Sequence, residues 1–510
     1  MIHETRMTLT GGGRLFFDFG RDAFSHLELE TAGRDGAALT VRLGECLKEG
    51  HIDDAPGGYR YFTQGTVALK SGQTRYVFPI PSRRLQSGNS YAATRACIPP
   101  EAEGHEVAPF RYVEVCGADG PVTLIRREFF ADIRDDESSL TLGDADLQKV
   151  WDFCRYSIKA TGAFGKYIDG ERERVPYEGD TYINQLGHFC TAADFATARA
   201  TIEYFFEHPT WPTEWVLLTP VLARDYLLYS GDAAAVKSWL PELEKKLLPG
   251  QTGPDGLVRP GGAVKDIVDW PLPERDDYDF GEVNFVPNAI LMDALKAMYD
   301  LTGNEDFLRR RALARESLRT LMKLPSGAFV DSVGSRHTAL HTVFSAIRSG
   351  VTEKHETEFM TGYMYRRGMA CGVFGAQFLL EACYMAGCAK LALELMRSHG
   401  PCSWLHMLEC GATITMEAWD DAVTGNQDWN HPWGAAPANI LPRFFCGIRP
   451  TKPGFARFIV DPCNCGVPFA LKHPTVRGVI EFDSTGRLVV PEGTLAEYRG
   501  KEFAPGTHQL

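Results

Sequence analysis

Between Asp169 and Asp180 the sequence Asp-Gly-Glu-Arg-Glu-Arg-Val-Pro-Tyr-Glu-Gly-Asp packs five carboxylates and two arginines into twelve residues. A run of this kind is more often a solvated loop, with Asp180 capping the helix that follows. Pro176 and Tyr177, set among the charges, point instead to a loop folded over something. Interleaved Arg and Glu can hold one carboxylate as an ion pair and leave another in an apolar place with a raised pKa, which is what a general acid requires. A second isolated carboxylate is Glu417, in Gly411-Ala-Thr-Ile-Thr-Met-Glu417-Ala-Trp419-Asp420, where it follows seven uncharged residues, Cys410 to Met416. Taken by itself, it fits an ordinary helix or strand terminus equally well. A third cluster, Asp428-Trp429-Asn430-His431-Pro432-Trp433-Gly434, leads toward a helix.

All nine tryptophans fall between residues 151 and 433, in the part of the chain that reads as helical. Large helical cores hold large side chains, so most need no further explanation. Trp211, Trp270 and Trp429 differ in lying among polar or proline neighbours, as platforms that stack on an apolar sugar face would.

The elements that must position these groups divide the chain in three. Residues 1–138 read as a β-sandwich, with short runs such as Leu39–Leu43, Tyr112–Val115 and Val122–Ile125 between Gly, Asp and Pro clusters. From 139 to 447 the period turns helical. Asp144 or Asp146 can cap a helix carrying Leu147, Val150, Trp151, Cys154 and Ile158, and another starts near Pro287. Ser230-Gly231-Asp232, Thr302-Gly303-Asn304 and Ala386-Gly387-Cys388 read as glycine turns between paired helices. Recurrent helical hairpins suggest either a closed (α/α)6 toroid or an open helical array. Residues 448–510 return to β, with strands expected at 458–460, 479–482 and 488–490.

Composition sets the outer limits. Lys and Arg number 53 against 66 Asp and Glu, a net charge of −13, which opposes a phosphate-tracking nucleic-acid binder. No apolar run is long enough for a membrane helix. Thirteen cysteines, an odd number thinly spread, do not form a disulfide framework. The opening MIHETRMTLTGGGRLFF lacks the apolar core of a signal peptide, so the expected location is cytoplasmic, or periplasmic or secreted if a leader has been removed. There is no Gly-x-Gly-x-x-Gly after a strand, no Walker loop and no Gly-x-Ser-x-Gly elbow. Cys463-Asn-Cys465 and the His337/His341 pair lack further ligands at metal-site spacing, and are set aside as metal centres.

Together the three clusters resemble the catalytic module of the α-L-rhamnosidases, glycoside hydrolase family 78. The shared features are Asp169, then Arg172-Glu173-Arg174, then Tyr177-Glu178-Gly179-Asp180, then Gly411-Ala412-Thr413 through Glu417-Ala418-Trp419-Asp420, and then Asn430-His431. Pro401-Cys402-Ser403-Trp404-Leu405 resembles the family's step ahead of the second Glu. Gly447-Ile448 and Pro453-Gly454-Phe455 resemble its entry into a C-terminal β domain. The likeness runs from about residue 110 to 490. It implies an inverting hydrolase of terminal α-L-rhamnosides, or of a closely related deoxy sugar, built on an (α/α)6 toroid and using no metal or cofactor.

In that reading Glu173 is the general acid and Glu417 the general base. Asp169 and Asp180 match residues that hold sugar hydroxyls, Arg174 an arginine that fixes them, and His431 a histidine that reaches the sugar. Tyr177 takes the place of a Trp, Trp419 beside the base is a further substrate-binding residue, and Trp211, Glu214, Asp269 and Trp270 fall on loops completing the pocket. The acid block is shorter than usual, the Asp next to the acid is missing, and most of the family's extra N-terminal β domains are absent. The partner implied is a carbohydrate, with no nucleic acid or membrane, while the oligomeric state is left open. A hydrolase of a uronic sugar and a non-catalytic carbohydrate sensor are the alternatives.

Overall fold

The computed structural model describes residues 1–82, 97–102 and 104–510. Among the described residues, the strand-rich start holds a seven-stranded sheet and a separate two-stranded one, Leu47–Lys48 with His51–Ile52. The spine of the larger sheet is Gly13–Glu30, 18 residues long. The first part of this strand pairs with Ala108–Ala118, and after an irregularity between Asp18 and Ala23 its end pairs with Val122–Phe129. Gly20, at φ 82, supplies the left-handed backbone where the strand changes course. Leu15, Phe17, Leu27, Leu29, Val41, Val113 and Leu124 then share one apolar core. The expected strands at 39–43, 112–115 and 122–125 lie inside Ala38–Gly44, Ala108–Ala118 and Val122–Phe129.

Among the described residues thirteen α-helices follow: α1 (Ala145–Thr161), α2 (Glu178–Thr191), α3 (Ala196–Glu207), α4 (Thr213–Ser230), α5 (Ala233–Lys245), α6 (Phe285–Thr302), α7 (Glu305–Met322), α8 (Leu340–Arg348), α9 (Lys354–Arg367), α10 (Val373–Met385), α11 (Ala389–Met396), α12 (Trp404–Glu409) and α13 (Pro437–Ile440). Two populations alternate along the chain. Every residue of α2 is buried, as are nearly all of α4 and α10. By contrast, α7 buries only Phe307, Ala314, Leu318 and Met322, a single stripe at helical spacing. A helix buried on all sides needs neighbours on all sides. Accordingly α2 packs on α4, α4 on α6, α6 on α8, α8 on α10, α10 on α13, and α13 returns to α2. The amphipathic helices pack outside, as α1 does on α2, α3 on α4, α7 on α6 and α9 on α8.

The glycine turns fall where the sequence puts them. Gly231 ends α4 at φ 76 and Gly303 ends α6 at φ 68, after which Asp232 and Asn304 cap α5 and α7 through their side chains. Asp144 accepts from the backbone amides of Asp146 and Leu147 and caps α1 as expected. Asp180 is not a cap. Helix α2 begins two residues earlier at Glu178, and is buried throughout rather than amphipathic.

The strand-rich C-terminal part holds two sheets, and the expected strands at 458–460, 479–482 and 488–490 lie in Arg457–Val460, Gly478–Asp483 and Arg487–Val490. Its five-stranded sheet recruits a strand from before the helices: Ser139–Leu142 pairs antiparallel with Phe469–Lys472, inside the strand Phe469–Thr475. No helix of the described residues is long and apolar enough to cross a membrane.

Candidate active site

The acidic block is a closed loop held by its first residue. Asp169 N donates to Val175 O at 3.0 Å, and Asp169 Oδ1 accepts from Val175 N at 2.8 Å. The enclosed residues turn back through Arg174, whose φ of 54° lies in the left-handed region. That turn sends neighbouring side chains in opposite directions. Arg172 and Glu173 enter a cleft, while Arg174 is buried away from it, on Glu171 (2.7 Å), Glu106 (2.6 Å) and Val107 O. Arg174 therefore braces the loop from behind and does not face the cleft. Gly170 is required here, because a Cβ would come within 2.4 Å of Asp428 Oδ2, which accepts from Arg172 N at 3.1 Å.

The cleft has a volume of about 180 Å³. Four carboxylates line it: Asp169, Glu173, Asp180 and Glu417. Glu417 lies in a buried loop, not at a helix or strand terminus. Its Oε1 accepts from Arg172 Nη2 at 2.7 Å and its Oε2 from Asp428 N at 3.2 Å. Burial pushes the Glu417 carboxyl up to about 7, against the opposing pull of Arg172 and His431. Glu173 accepts from the Tyr177 hydroxyl. Asp169 is held well above the usual carboxylate range by burial, reinforced by Glu173, and its Oδ2 has no hydrogen-bond partner among the described residues.

His431 bridges two further acids, with Nδ1 3.0 Å from Asp428 Oδ1 and Nε2 2.9 Å from Asp180 Oδ1. Burial disfavours a charged ring, but the two carboxylates win and raise its pKa well above normal. Ligand atoms of Glu417, Asp428 and His431 lie close enough to share a cation. Both ring nitrogens are already engaged with carboxylates, so the imidazolium itself supplies positive charge at that point.

The walls are apolar: Tyr177, Trp211, Trp215, Ile267, Trp270 and Trp433. Trp215 packs edge-on to Tyr177 and Trp433, which is possible because Gly179 lacks a Cβ that would fall 2.6 Å from the indole. Trp433 donates to Glu417 O at 3.0 Å. Trp211 stays 47% exposed, so it stands at the mouth rather than in the core.

Of the twelve residues singled out from the sequence, the cleft gathers eight: Asp169, Glu173, Tyr177, Asp180, Trp211, Trp270, Glu417 and His431. Like Arg174, three more lie behind it. Glu214 accepts from the amides of Ile267 and Val268, fixing the loop that carries Ile267, and burial pushes its carboxyl up to about 8. Asp269 accepts from Trp270 N (2.8 Å) and Gly372 N (2.7 Å) and meets His341 Nε2 at 2.6 Å. Trp419 is fully buried edge-on to Trp404 and donates to Cys371 O. These three position the walls without lining them.

Sequence reasoning passed over Arg172, Trp215, Ile267 and Trp433 in the lining, although Arg172 sits inside the acidic block and Trp433 two residues after His431. It also passed over the N-terminal contribution. Glu45 accepts from Asn430 Nδ2 at 2.9 Å, while Asn430 Oδ1 accepts from Glu171 N at 2.6 Å. The Tyr59 ring lies 5.7 Å from the Arg172 guanidinium. His337 and His341 turn to different acids, Asp331 and Asp269, and Cys463 and Cys465 are exposed free thiols.

Residues 135–444 match the family described as bacterial alpha-L-rhamnosidase six-hairpin glycosidase domain. Among curated proteins, an alpha-L-rhamnosidase of Alteromonas sp. (strain LOR) is 20% identical over 509 residues, covering 88% of this chain and 50% of the relative. Among solved structures, the alpha-L-rhamnosidase of Aspergillus terreus superposes with a TM-score of 0.78 at 15% identity, over 99% of this chain and 63% of the other. The GH78 rhamnosidase of Bacillus sp. GL1 gives 0.73 at 19% identity, over 95% and 54%. A Klebsiella oxytoca rhamnosidase with rhamnose bound gives 0.64 at 15% identity, over 86% and 89%. The fold is thus shared at low identity, and the chain spans half the length of the curated relative it matches.

Proposed function

The chain belongs to the bacterial α-L-rhamnosidase six-hairpin glycosidase family, and on that premise we propose that it hydrolyses terminal α-L-rhamnosides, or a closely related deoxy sugar, with inversion at the anomeric carbon. The supporting scaffold is an (α/α)6 toroid over about residues 139–447, flanked by β domains at 1–138 and 448–510. The closed succession of buried helices α2, α4, α6, α8, α10 and α13 supports that reading.

The observation that carries the proposal is the meeting of Glu173 and Glu417 in one cleft, on separate loops and in unlike surroundings. Glu173 donates a proton to the glycosidic oxygen as the bond to the aglycone breaks. Glu417 takes a proton from a water that attacks the anomeric carbon on the opposite face. The products are the free sugar of inverted configuration and the aglycone alcohol, and the two carboxyls have exchanged protonation states. A base with a pKa near the working pH combines a useful ionised fraction with a strong pull on the water's proton.

Asp169 and Asp180 hold the sugar's hydroxyls. The unpartnered Asp169 Oδ2 leaves room for that bond. The indole and isoleucine walls cover the methyl group that a 6-deoxy sugar carries. Four carboxylates against one guanidinium and one imidazolium oppose an anionic, uronic substrate.

The decisive experiment is turnover of an aryl α-L-rhamnoside panel by the wild type, Glu173→Gln and Glu417→Gln. Wild-type release of the inverted sugar, with both variants down by about 10²–10⁴ in kcat, is the expected result. Full activity in either variant would remove its assigned role. Rhamnose binding without any turnover would make the protein a sensor instead.

A further inference from the structure

A second constellation of ligating side chains lies outside the cleft. His406 and Cys410 are one helical turn apart, at the end of α12 and its C-cap, and so project from the same side. Asp420 approaches from the segment that carries Glu417. His406 Nε2 is 2.5 Å from Asp420 Oδ2 and 3.5 Å from Cys410 Sγ. One ligand atom from each residue lies within 4.8 Å of the other two. We propose that His406, Cys410 and Asp420 form a binding site for one divalent cation of the zinc class, with water as the fourth ligand.

The donor set selects the class of ion. A thiolate and an imidazole suit zinc or cobalt and disfavour calcium or magnesium, which take oxygen ligands. The dimensions fit as well. Tetrahedral zinc with Zn–S of about 2.3 Å and Zn–N of about 2.0 Å puts sulfur and nitrogen about 3.5 Å apart, the separation found between Cys410 and His406. The ion takes the place of the hydrogen between His406 and Asp420, and that contact opens to about 3.3 Å. Cys410 gives up its proton on binding.

Supporting contacts fix the ligands. Asp420 Oδ1 accepts from Ala422 N at 2.6 Å, which leaves Oδ2 to face the ion. The Ser403 hydroxyl accepts from His406 N at 3.2 Å and holds the first turn of α12. Asp421, the nearest other acid in sequence, is committed to Arg60 and Gln427. Cys410 is exposed, while His406 and Asp420 are partly so, which gives an ion direct access from solvent. A bound ion would pin α12 to the segment three residues after Glu417, a join otherwise made by Trp404 against Trp419.

The test uses the full chain, stripped with a chelator and titrated with Co²⁺ and then Zn²⁺. The expected outcome is a thiolate-to-cobalt charge-transfer band that saturates at one equivalent and is abolished by Zn²⁺. Cys410→Ser should erase the band, and His406→Gln should weaken affinity by about 100-fold or more. The double variant Cys463→Ser/Cys465→Ser should keep the band, since that exposed thiol pair lies elsewhere. Zn²⁺ should raise the Tm of the wild type but not of Cys410→Ser. No band at several equivalents, or a band that survives Cys410→Ser and disappears with Cys463 and Cys465, would overturn the site. Neither readout uses turnover, so the outcome is separate from that of the hydrolase reading.

Discussion

Helix α2 contributes to two buried charged clusters only two residues apart, and they are built on opposite terms. Asp180 looks into the cleft. Tyr182 looks into a closed network around Glu381, where the carboxylate accepts from Tyr182 (3.0 Å), Gln377 (3.0 Å), Arg348 (2.6 Å) and Arg443 (3.1 Å). Burial alone would raise the Glu381 pKa, yet Arg348 and Arg443 bring it below normal. In the cleft the balance runs the other way, and burial raises Asp169, Asp180 and Glu417. The same desolvation acts on both clusters. One is met by two guanidinium groups on a single carboxylate. The other spreads one guanidinium and one imidazolium over four carboxylates, and leaves Asp169 Oδ2 without a hydrogen-bond partner among the described residues. Buried charge therefore marks a site only where the fold has left it incompletely answered.

Removing a carboxylate from each side gives the sharpest contrast. Glu417→Gln should lower kcat on an aryl rhamnoside by about 10²–10⁴ with little change in stability. Glu381→Ala should instead cost about 3–5 kcal/mol in denaturant unfolding, because it takes a carboxylate from two buried guanidinium groups and leaves Arg443 with Asn439 and Arg348 with Asp293, while the folded fraction keeps its turnover. An Glu381→Ala variant that is fully stable but inactive would erase the distinction.

A subtler effect concerns pH. As a base Glu417 must be ionised, so kcat/KM should fall about tenfold per pH unit below about 7. Arg172 favours the ionised form. Arg172→Met should therefore raise the Glu417 pKa and move the acid limb of the profile to higher pH. A limb that stays put would detach Arg172 from Glu417. The smallest effect belongs to the rim. Trp211→Ala should raise KM by about fivefold, or ~1 kcal/mol, with kcat unchanged, as for loss of a stacking platform.

What the sequence made legible was local. Residue types within a few positions of each other placed Asp169, Glu173 and Asp180 together, and helical spacing marked α1 and the glycine turns. Arg174 was misread because one left-handed residue reverses the side on which its side chain emerges. Glu214 and Asp269 were read as pocket lining because a carboxylate beside a pocket can face the sugar or the backbone. Here Glu214, in the first turn of α4, takes the amides of Ile267 and Val268, and Asp269 takes those of Trp270 and Gly372. Trp419 went into the core because its partner Trp404 lies on a separate helix. The parts of the site supplied by Glu45 and Tyr59 depend on how the N-terminal sheet sits against the helices, which no short-range pattern encodes.

The pairing of Ser139–Leu142 with Phe469–Lys472 joins segments that leave the ribosome far apart in time. At ~5–20 residues per second, the earlier segment waits on the order of tens of seconds for its partner. Through that interval its edge is an open invitation to other nascent chains. The helical region can assemble early, but its threshold is sealed only once Phe469–Lys472 has been made. Chaperone demand during synthesis should therefore persist at least until that later strand has emerged.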